Sequence, residues 1–291
     1  MTLRPRKRLG QHFLHDPAVI AKLVAAIAPV ANDRMVEIGG GRGALTRPLL
    51  EKLRRLHVVE LDTRLAGKLE STAARPERLI LHRADALQFD FSSLAAKPGT
   101  LRVVGNLPYN ISTPLMFHLL EHRAAIRDMH LMLQREVAER VAAAPGSKAY
   151  GRLTVMLAPW LEVQTLFHVG PGAFAPPPRV RSTVVRLAPR GSPLFDMRDP
   201  DGYARLVARA FSMRRKTLAR SLRPWLTRRA IAAAGVDPLE RPERLPPEAF
   251  ERLVRAWRQG GEAGLVGAGL PPVAGGQPPA AGDPQRGGAA P

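Results

Sequence analysis

The chain has 291 residues, 45% hydrophobic and 24% charged, enough for a sizeable core in one large or two smaller globular units. Lys and Arg total 44 against 25 Asp and Glu, and a net charge of +19 points to a polyanionic partner, nucleic acid before an anionic membrane. There is no cysteine, which excludes disulfides, thiolate metal sites and cysteine nucleophiles.

The chain opens on a basic run, Arg4-Pro-Arg-Lys-Arg, either a phosphate contact or a flexible tail. Leu9-Gly-Gln-His-Phe-Leu follows, which is not the apolar core of a signal peptide. Residues 18–31 pattern as an amphipathic helix, with Asp16 as N-cap and Pro17 at the first helical position. Lys22 and Pro29 fall inside this stretch, which is too short to span a bilayer, so no membrane partner is expected.

Apolar runs over 35–39, 56–61, 79–83, 101–105 and 129–133 read as five buried strands. Helical patterns at 44–53, 114–121 and 136–143 alternate with them, which predicts a doubly wound, mostly parallel sheet. Residues 163–169 and 180–187 alternate with period two across the turn at Pro176, an antiparallel pair that would complete the sheet. Beyond about residue 190 the pattern is helical, at 203–211, 214–222, 226–234 and 247–257. The expected organisation is an α/β domain over 1–190, a small all-α domain over 191–258 and a disordered Gly/Pro/Ala tail over 259–291.

The loop after the first strand, Glu37-Ile-Gly-Gly-Gly-Arg-Gly-Ala, carries Gly39, Gly41 and Gly43 at alternate positions. Such a turn allows close backbone approach to a ligand at a helix N-terminus. Glu60, near the end of the second strand, is placed to bind ribose hydroxyls, so NAD and S-adenosylmethionine are both open. Asp85 after the third strand can accept from an adenine amino group, and Glu37 would repel a pyrophosphate but suit a methionine ammonium.

Asn106-Leu-Pro-Tyr ends the fourth strand, where open α/β sheets place their ligands. The exocyclic amine of a base is a poor nucleophile because its lone pair is delocalised into the ring. The Asn106 side-chain oxygen, with the backbone carbonyl of Leu107 or Pro108, would accept both of its hydrogens and turn the lone pair toward a methyl donor. Tyr109 offers a face to a base drawn out of its stack. Phe174, before a proline run, either covers the other face or packs in the core.

These stretches occur in order with Phe174-Ala-Pro-Pro-Pro-Arg-Val and Phe211-Ser-Met-Arg-Arg-Lys-Thr-Leu. The set resembles the KsgA/RsmA family of small-subunit rRNA adenine dimethyltransferases over about residues 9–257. The resemblance implies a Rossmann-like class I methyltransferase domain with a small all-α C-terminal domain. It implies a cytoplasmic, monomeric enzyme that uses S-adenosyl-L-methionine to dimethylate N6 of two adjacent adenosines. These adenosines lie in the 3′-terminal hairpin loop of 16S rRNA in the assembling small ribosomal subunit. It further implies that His12, Leu14, Gly39, Gly41, Glu60, Asp85 and Asn106 bind the cofactor, and that Asn106, Pro108, Tyr109 and Phe174 form the catalytic set. The family often has Asn where His12 stands, a harmless difference if the contact is made by the backbone; no metal site is expected there. Arg214, Arg215 and Lys216 would contact rRNA phosphates, although a basic run is also the usual look of a solvated helix face. A resistance-type enzyme acting on large-subunit rRNA has a similar core, but Leu107 and the Phe-Ser-Met-Arg-Arg-Lys stretch argue against it. A non-catalytic assembly factor would have lost the glycine turn, the acids or Asn106, and a dehydrogenase would leave Asn-Leu-Pro-Tyr without a role.

Overall fold

The computed structural model describes residues 11–213 and 215–261. The Arg4–Arg8 run, Leu9, Gly10, Arg214 and the tail after Gly261 lie outside the described residues. Nine strands and ten α-helices are described, and seven of the strands form one sheet in the order β4-β3-β2-β5-β6-β9-β7. In chain order these are β2 (Arg34–Ile38), β3 (Leu56–Val59), β4 (Leu79–His82), β5 (Leu101–Asn106), β6 (Ile126–Gln134), β7 (Leu161–Val169) and β9 (Ser182–Pro189). The five strands β4 to β6 pair in parallel, and β9 and β7 close the sheet in antiparallel fashion. Central strands covered on both faces must be apolar on both, which is why β3 and most of β2 and β5 are buried along their length.

One face of the sheet is covered by α4 (Ser112–Glu121), α5 (Arg135–Val141) and α6 (Arg152–Leu157), over a core that includes Val36, Val103, Leu131 and Val185. The other carries α1 (Pro17–Ile27) and α2 (Thr46–Lys52) against Met35, Leu56, Val104 and Met132. Between β3 and β4 runs α3 (Thr63–Thr72). A third apolar cluster holds α7 (Pro200–Ser212), α8 (Leu218–Ser221), α9 (Arg228–Ala233) and α10 (Pro247–Gly261) together. It takes in Tyr150 and Val155, both before residue 190, so the helices are anchored on α6 and its approach.

Several boundaries differ from those expected. Asp16 caps α1 as anticipated, its Oδ1 accepting from the Ala18 and Val19 amides at 2.8 and 3.1 Å. The helix stops at Ile27 rather than at residue 31, because Ala28 turns left-handed and Pro29 cannot continue it. β5 includes Asn106, whose successor Leu107 still donates to the Met132 carbonyl at 3.2 Å; the break comes at Pro108, which has no N–H. Helix α10 runs on past Trp257 to Gly261, so residues 259–261 are helical where a disordered tail was expected. A feature absent from the sequence reading is a two-stranded ribbon, β1 (Phe13–Leu14) paired antiparallel with β8 (Phe174–Ala175). It ties the N-terminal segment to the segment before β9.

At the opposite end of the sheet, the buried Arg102 on β5 donates to Asp33 at 2.7 Å and through Nε and Nη2 to Asp128 at 2.9 and 3.1 Å. Nη2 also donates to the Ile27 carbonyl at 2.7 Å, at the end of α1 where helix carbonyls lack partners. Burial works to raise the Asp33 pKa, but hydrogen bonds from the Val30 amide and Arg102 outweigh it and hold the group below its ordinary value. Replacing Arg102 with Ala would leave Asp33 with the exposed Arg127 at 3.2 Å and Asp128 with Arg186 at 3.9 Å, and neither with its buried cation. The expected loss of unfolding free energy is about 3–5 kcal/mol, read from urea denaturation at neutral pH. A variant as stable as the wild type would show that water enters and solvates the pair.

Candidate active site

The parallel register aligns the strand ends. Ile38 lies opposite Val59, Val59 opposite His82, and Glu37 opposite Val104, so the residues that follow β2, β3, β4 and β5 emerge at one edge. A cavity of about 240 Å³ opens there, lined among others by His12, Gly39, Gly41, Glu60, Asp85, Asn106, Pro108 and Tyr109. Eight of the residues singled out in the sequence thus share one pocket.

The glycine turn forms its floor. Gly41 has φ +54, a conformation that disfavours any side chain, and a Cβ there would meet the Phe13 ring at 3.3 Å. Its amide donates to Glu60 Oε2 at 2.9 Å, and the Asp62 amide donates to Glu60 Oε1 at 2.9 Å. Glu60 is therefore oriented by backbone, with one lone-pair direction on each oxygen left for hydroxyl donors. Burial raises its pKa, and the backbone hydrogen bonds work against that rise. Asp85 is held similarly: Oδ1 accepts from the Leu87 amide at 2.9 Å, which leaves Oδ2 for an amino group.

Glu37 does not reach this pocket. It is 2% exposed, behind the glycine turn, where Thr46 Oγ1 donates to its Oε2 at 2.6 Å. Burial pushes its pKa up to about 8, and the neighbouring Glu60 charge adds to the rise while the Thr46 bond opposes it. The carboxylate that sequence reading set against a methionine ammonium is a neutral acid at pH 7.

At the mouth, the Asn106 amide is oriented by the N-terminal segment: Nδ2 donates to the His12 backbone carbonyl at 2.9 Å, which leaves Oδ1 as the acceptor end. The Pro108 carbonyl already accepts from the Ile111 amide at 3.2 Å, so Leu107 is the better placed of the two candidate carbonyls. The Tyr109 hydroxyl shares a hydrogen bond of 2.7 Å with Ser182 Oγ, and burial raises the phenol pKa against that bond. The His12 ring lies 5.3 Å from the Tyr109 ring, tilted by 30°, and Nδ1 donates to the Pro176 carbonyl at 2.9 Å. His12 thus serves Asn106 through its backbone, and its ring braces the β1–β8 ribbon against Tyr109.

Two expected residues lie elsewhere. Leu14 and Phe174 face each other across the ribbon and are 6% and 2% exposed, packed into the core with Val104, Met132 and Val184. For Phe174 the core alternative holds in this structure, because the ribbon pairing turns its ring inward. Leu14 borders the small cavity behind the glycine turn and a second one beside α1 and α2, but not the pocket. Arg215 and Lys216 are exposed in the turn between α7 and α8 and do not line the pocket; Arg214 lies outside the described residues. Sequence reasoning missed Gln11, a pocket residue that donates to Asp62 Oδ2 at 3.4 Å, and the fully buried Ser182. Gln11 could have been found as the polar neighbour of His12 within its motif; Ser182 gave no local signal, since its role depends on where β9 lands.

A family profile described as ribosomal RNA adenine dimethylase matches residues 2–258. The chain is 53% identical over 254 residues to a protein named ribosomal RNA small subunit methyltransferase A from Nitrosococcus oceani, covering 87% of this chain and 96% of that protein. It is 53% identical to the protein of the same name from Pseudomonas aeruginosa, covering 86% and 93%. A crystal structure of a dimethyladenosine transferase from Plasmodium falciparum superposes with a TM-score of 0.71 at 26% identity, covering 86% of this chain and 98% of that one. A structure of the 23S rRNA methyltransferase ErmE gives 0.65 at 29%, covering 85% and 100%. The chain belongs to the ribosomal RNA adenine dimethylase family, and its fold is that of a Rossmann-like class I methyltransferase with a helical C-terminal part.

The buried neutral acid makes a testable demand on stability. Glu37 rises from 4.5 to about 8 on folding, so between those pH values the unfolded chain loses a proton that the folded chain keeps. Its contribution is complete below pH 4.5 and declines as pH rises toward 8. Glu37→Gln keeps an acceptor for Thr46 and should flatten the fall of the urea midpoint across this window. An unchanged slope would mean that Glu37 is ionised in the folded protein.

Proposed function

We propose that this member of the ribosomal RNA adenine dimethylase family transfers methyl groups from S-adenosyl-L-methionine to N6 of two adjacent adenosines in the 3′-terminal hairpin loop of 16S rRNA. It would act as a monomer on the assembling small subunit in the cytoplasm, adding four methyls in all. The observation that carries this reading is the oriented Asn106 amide: Nδ2 is held by His12, so Oδ1 accepts from the substrate amine.

The pocket residues suit the cofactor. Glu60 has acceptor capacity for two ribose hydroxyls, Asp85 Oδ2 suits the adenine amino group, and the Gly39–Gly41 turn leaves backbone space for the methionine portion. When bound, S-adenosylmethionine supplies an electrophilic methyl on a sulfonium. With Oδ1 of Asn106 and the Leu107 carbonyl accepting its two hydrogens, N6 directs its lone pair out of conjugation and toward that methyl. The nitrogen cation so formed is acidic and releases its proton without a strong base. Tyr109 supplies one stacking face, held at its hydroxyl by Ser182. Phe174 would take part only as the packing beneath it. Arg215 and Lys216, with Arg214, would hold phosphates without reading sequence. The division at residue 190 is our reading too: α7 to α10 share one apolar cluster, which Tyr150 and Val155 join from before that point.

Methyl transfer from labelled cofactor to unmethylated small subunits should yield N6,N6-dimethyladenosine after digestion, with no label in large subunits or DNA. Asn106→Ala should lower the rate by about 10²–10³-fold. Label in large subunits would favour the ErmE-type reaction, and none anywhere would remove the enzymatic reading. His12→Asn should retain near wild-type transfer, because the contact to Asn106 is made by the backbone carbonyl. Loss of transfer in that variant, with folding intact, would assign the imidazole itself a role.

A further inference from the structure

The helical C-terminal part carries an aromatic feature that the pocket does not use. Trp225, in the turn between α8 and α9, and Trp257 on α10 stack nearly parallel, with ring centroids 4.5 Å apart and planes at 6°. The Arg258 guanidinium lies 4.9 Å from the Trp257 centroid and so takes that ring's other face. Both tryptophans are half-buried at the edge of the third apolar cluster, so each keeps part of its surface in solvent.

Packing against the third apolar cluster accounts for a stacked pair. It does not account for the surroundings. Residues 214–236 contain seven Lys and Arg and no acid. Arg220, Arg223, Arg228 and Arg229 are exposed and pair with no acid among the described residues. Several arginines elsewhere do pair with acids, among them Arg83 with Glu70, Arg135 with Glu139, Arg190 with Glu162 and Arg258 with Asp199. Arg223 and Arg228 are within about 11 Å of Trp225 along the backbone, even for a fully extended chain. A partly exposed aromatic pair, close along the chain to unneutralised guanidinium groups, suits one ligand chemistry, a flat base on a phosphate backbone.

We propose that the Trp225–Trp257 stack is a docking platform for an unpaired nucleobase of the RNA substrate, with adjoining phosphates held by Arg220, Arg223, Arg228 and Arg229. Stacking selects an unpaired base over a duplex, whereas the arginines attract both. This rests on the reading of the substrate as RNA, but not on the chemistry of the pocket.

The test uses the full chain in a Trp160→Phe background, which leaves Trp225 and Trp257 as the only tryptophans. A short single-stranded oligoadenylate and an RNA duplex of equal phosphate count are titrated while tryptophan emission is followed. The single strand should quench emission and the duplex should not. Trp225→Leu, which keeps apolar bulk, should bind the single strand about tenfold more weakly and the duplex as before, with an unchanged thermal midpoint. Equal affinity of that variant for the single strand, or equal losses for strand and duplex, overturns the proposal. If the variant does not fold, the quench decides: none from the single strand, or the same from the duplex, overturns it. Subunit methylation is assayed in parallel. Quenching without methyl transfer would sink the enzymatic reading alone, and methyl transfer without quenching would sink only the platform.

Discussion

Everything at the candidate site depends on the parallel register of β2, β3, β4 and β5. Side chains alternate across a sheet, so a one-residue slip would send Asn106 to the opposite face and break the alignment of the strand ends. The register is guarded by a close approach between neighbouring backbones. A Cβ on Gly105 would lie 2.7 Å from the Ile38 carbonyl oxygen, so only glycine lets β5 reach Asn106 beside the end of β2. The glycine turn and the amide are thereby fixed to each other before any ligand is present.

The pocket's electrostatics follow from unequal burial of its acids. Glu60 and Glu37 are close enough for one charge to raise the other's pKa, and two buried carboxylates cannot both ionise cheaply. Backbone amides at both oxygens favour charge on Glu60, whereas a single hydroxyl leaves Glu37 neutral. The acid held by backbone amides is the one that lines the pocket, and the one whose pKa is pushed up to about 8 fills the space behind the turn. The arrangement supports a cofactor with hydroxyl and amino donors without placing two anions side by side.

Much of this was legible in the sequence because it is local. Buried parallel strands are apolar throughout, so β2 to β5 announced themselves, and residues just past a strand end must lie at its edge. What stayed hidden depends on contacts between distant segments. The β1–β8 ribbon has two residues per strand, too few for any periodicity, yet it joins residue 13 to residue 175. Without it the inward turn of Phe174, the packing of Leu14 and the backbone role of His12 cannot be deduced. Glu37 was misjudged for a related reason: its motif reveals the acid, but its neutral state comes from the depth of burial and the nearness of Glu60. Arg102, in an otherwise apolar strand, was a visible anomaly whose partners, Asp33 and Asp128, lie 69 and 26 residues away.

The net charge divides recognition between two parts of the molecule. Across the α/β part several arginines are matched by acids, such as Arg83 by Glu70 and Arg135 by Glu139. In the acid-free stretch over 214–236, the exposed Arg220, Arg223, Arg228 and Arg229 pair with no acid among the described residues. Phosphate contacts made there would supply affinity that weakens as salt rises, but no information about which base is presented. That discrimination needs a site whose donors and acceptors are already oriented, which is what the His12 carbonyl does for Asn106. On the proposed reading, an excess of positive charge would hold the polyanion, whereas the choice of an amine as the reacting group would rest on a single oriented amide at the end of β5.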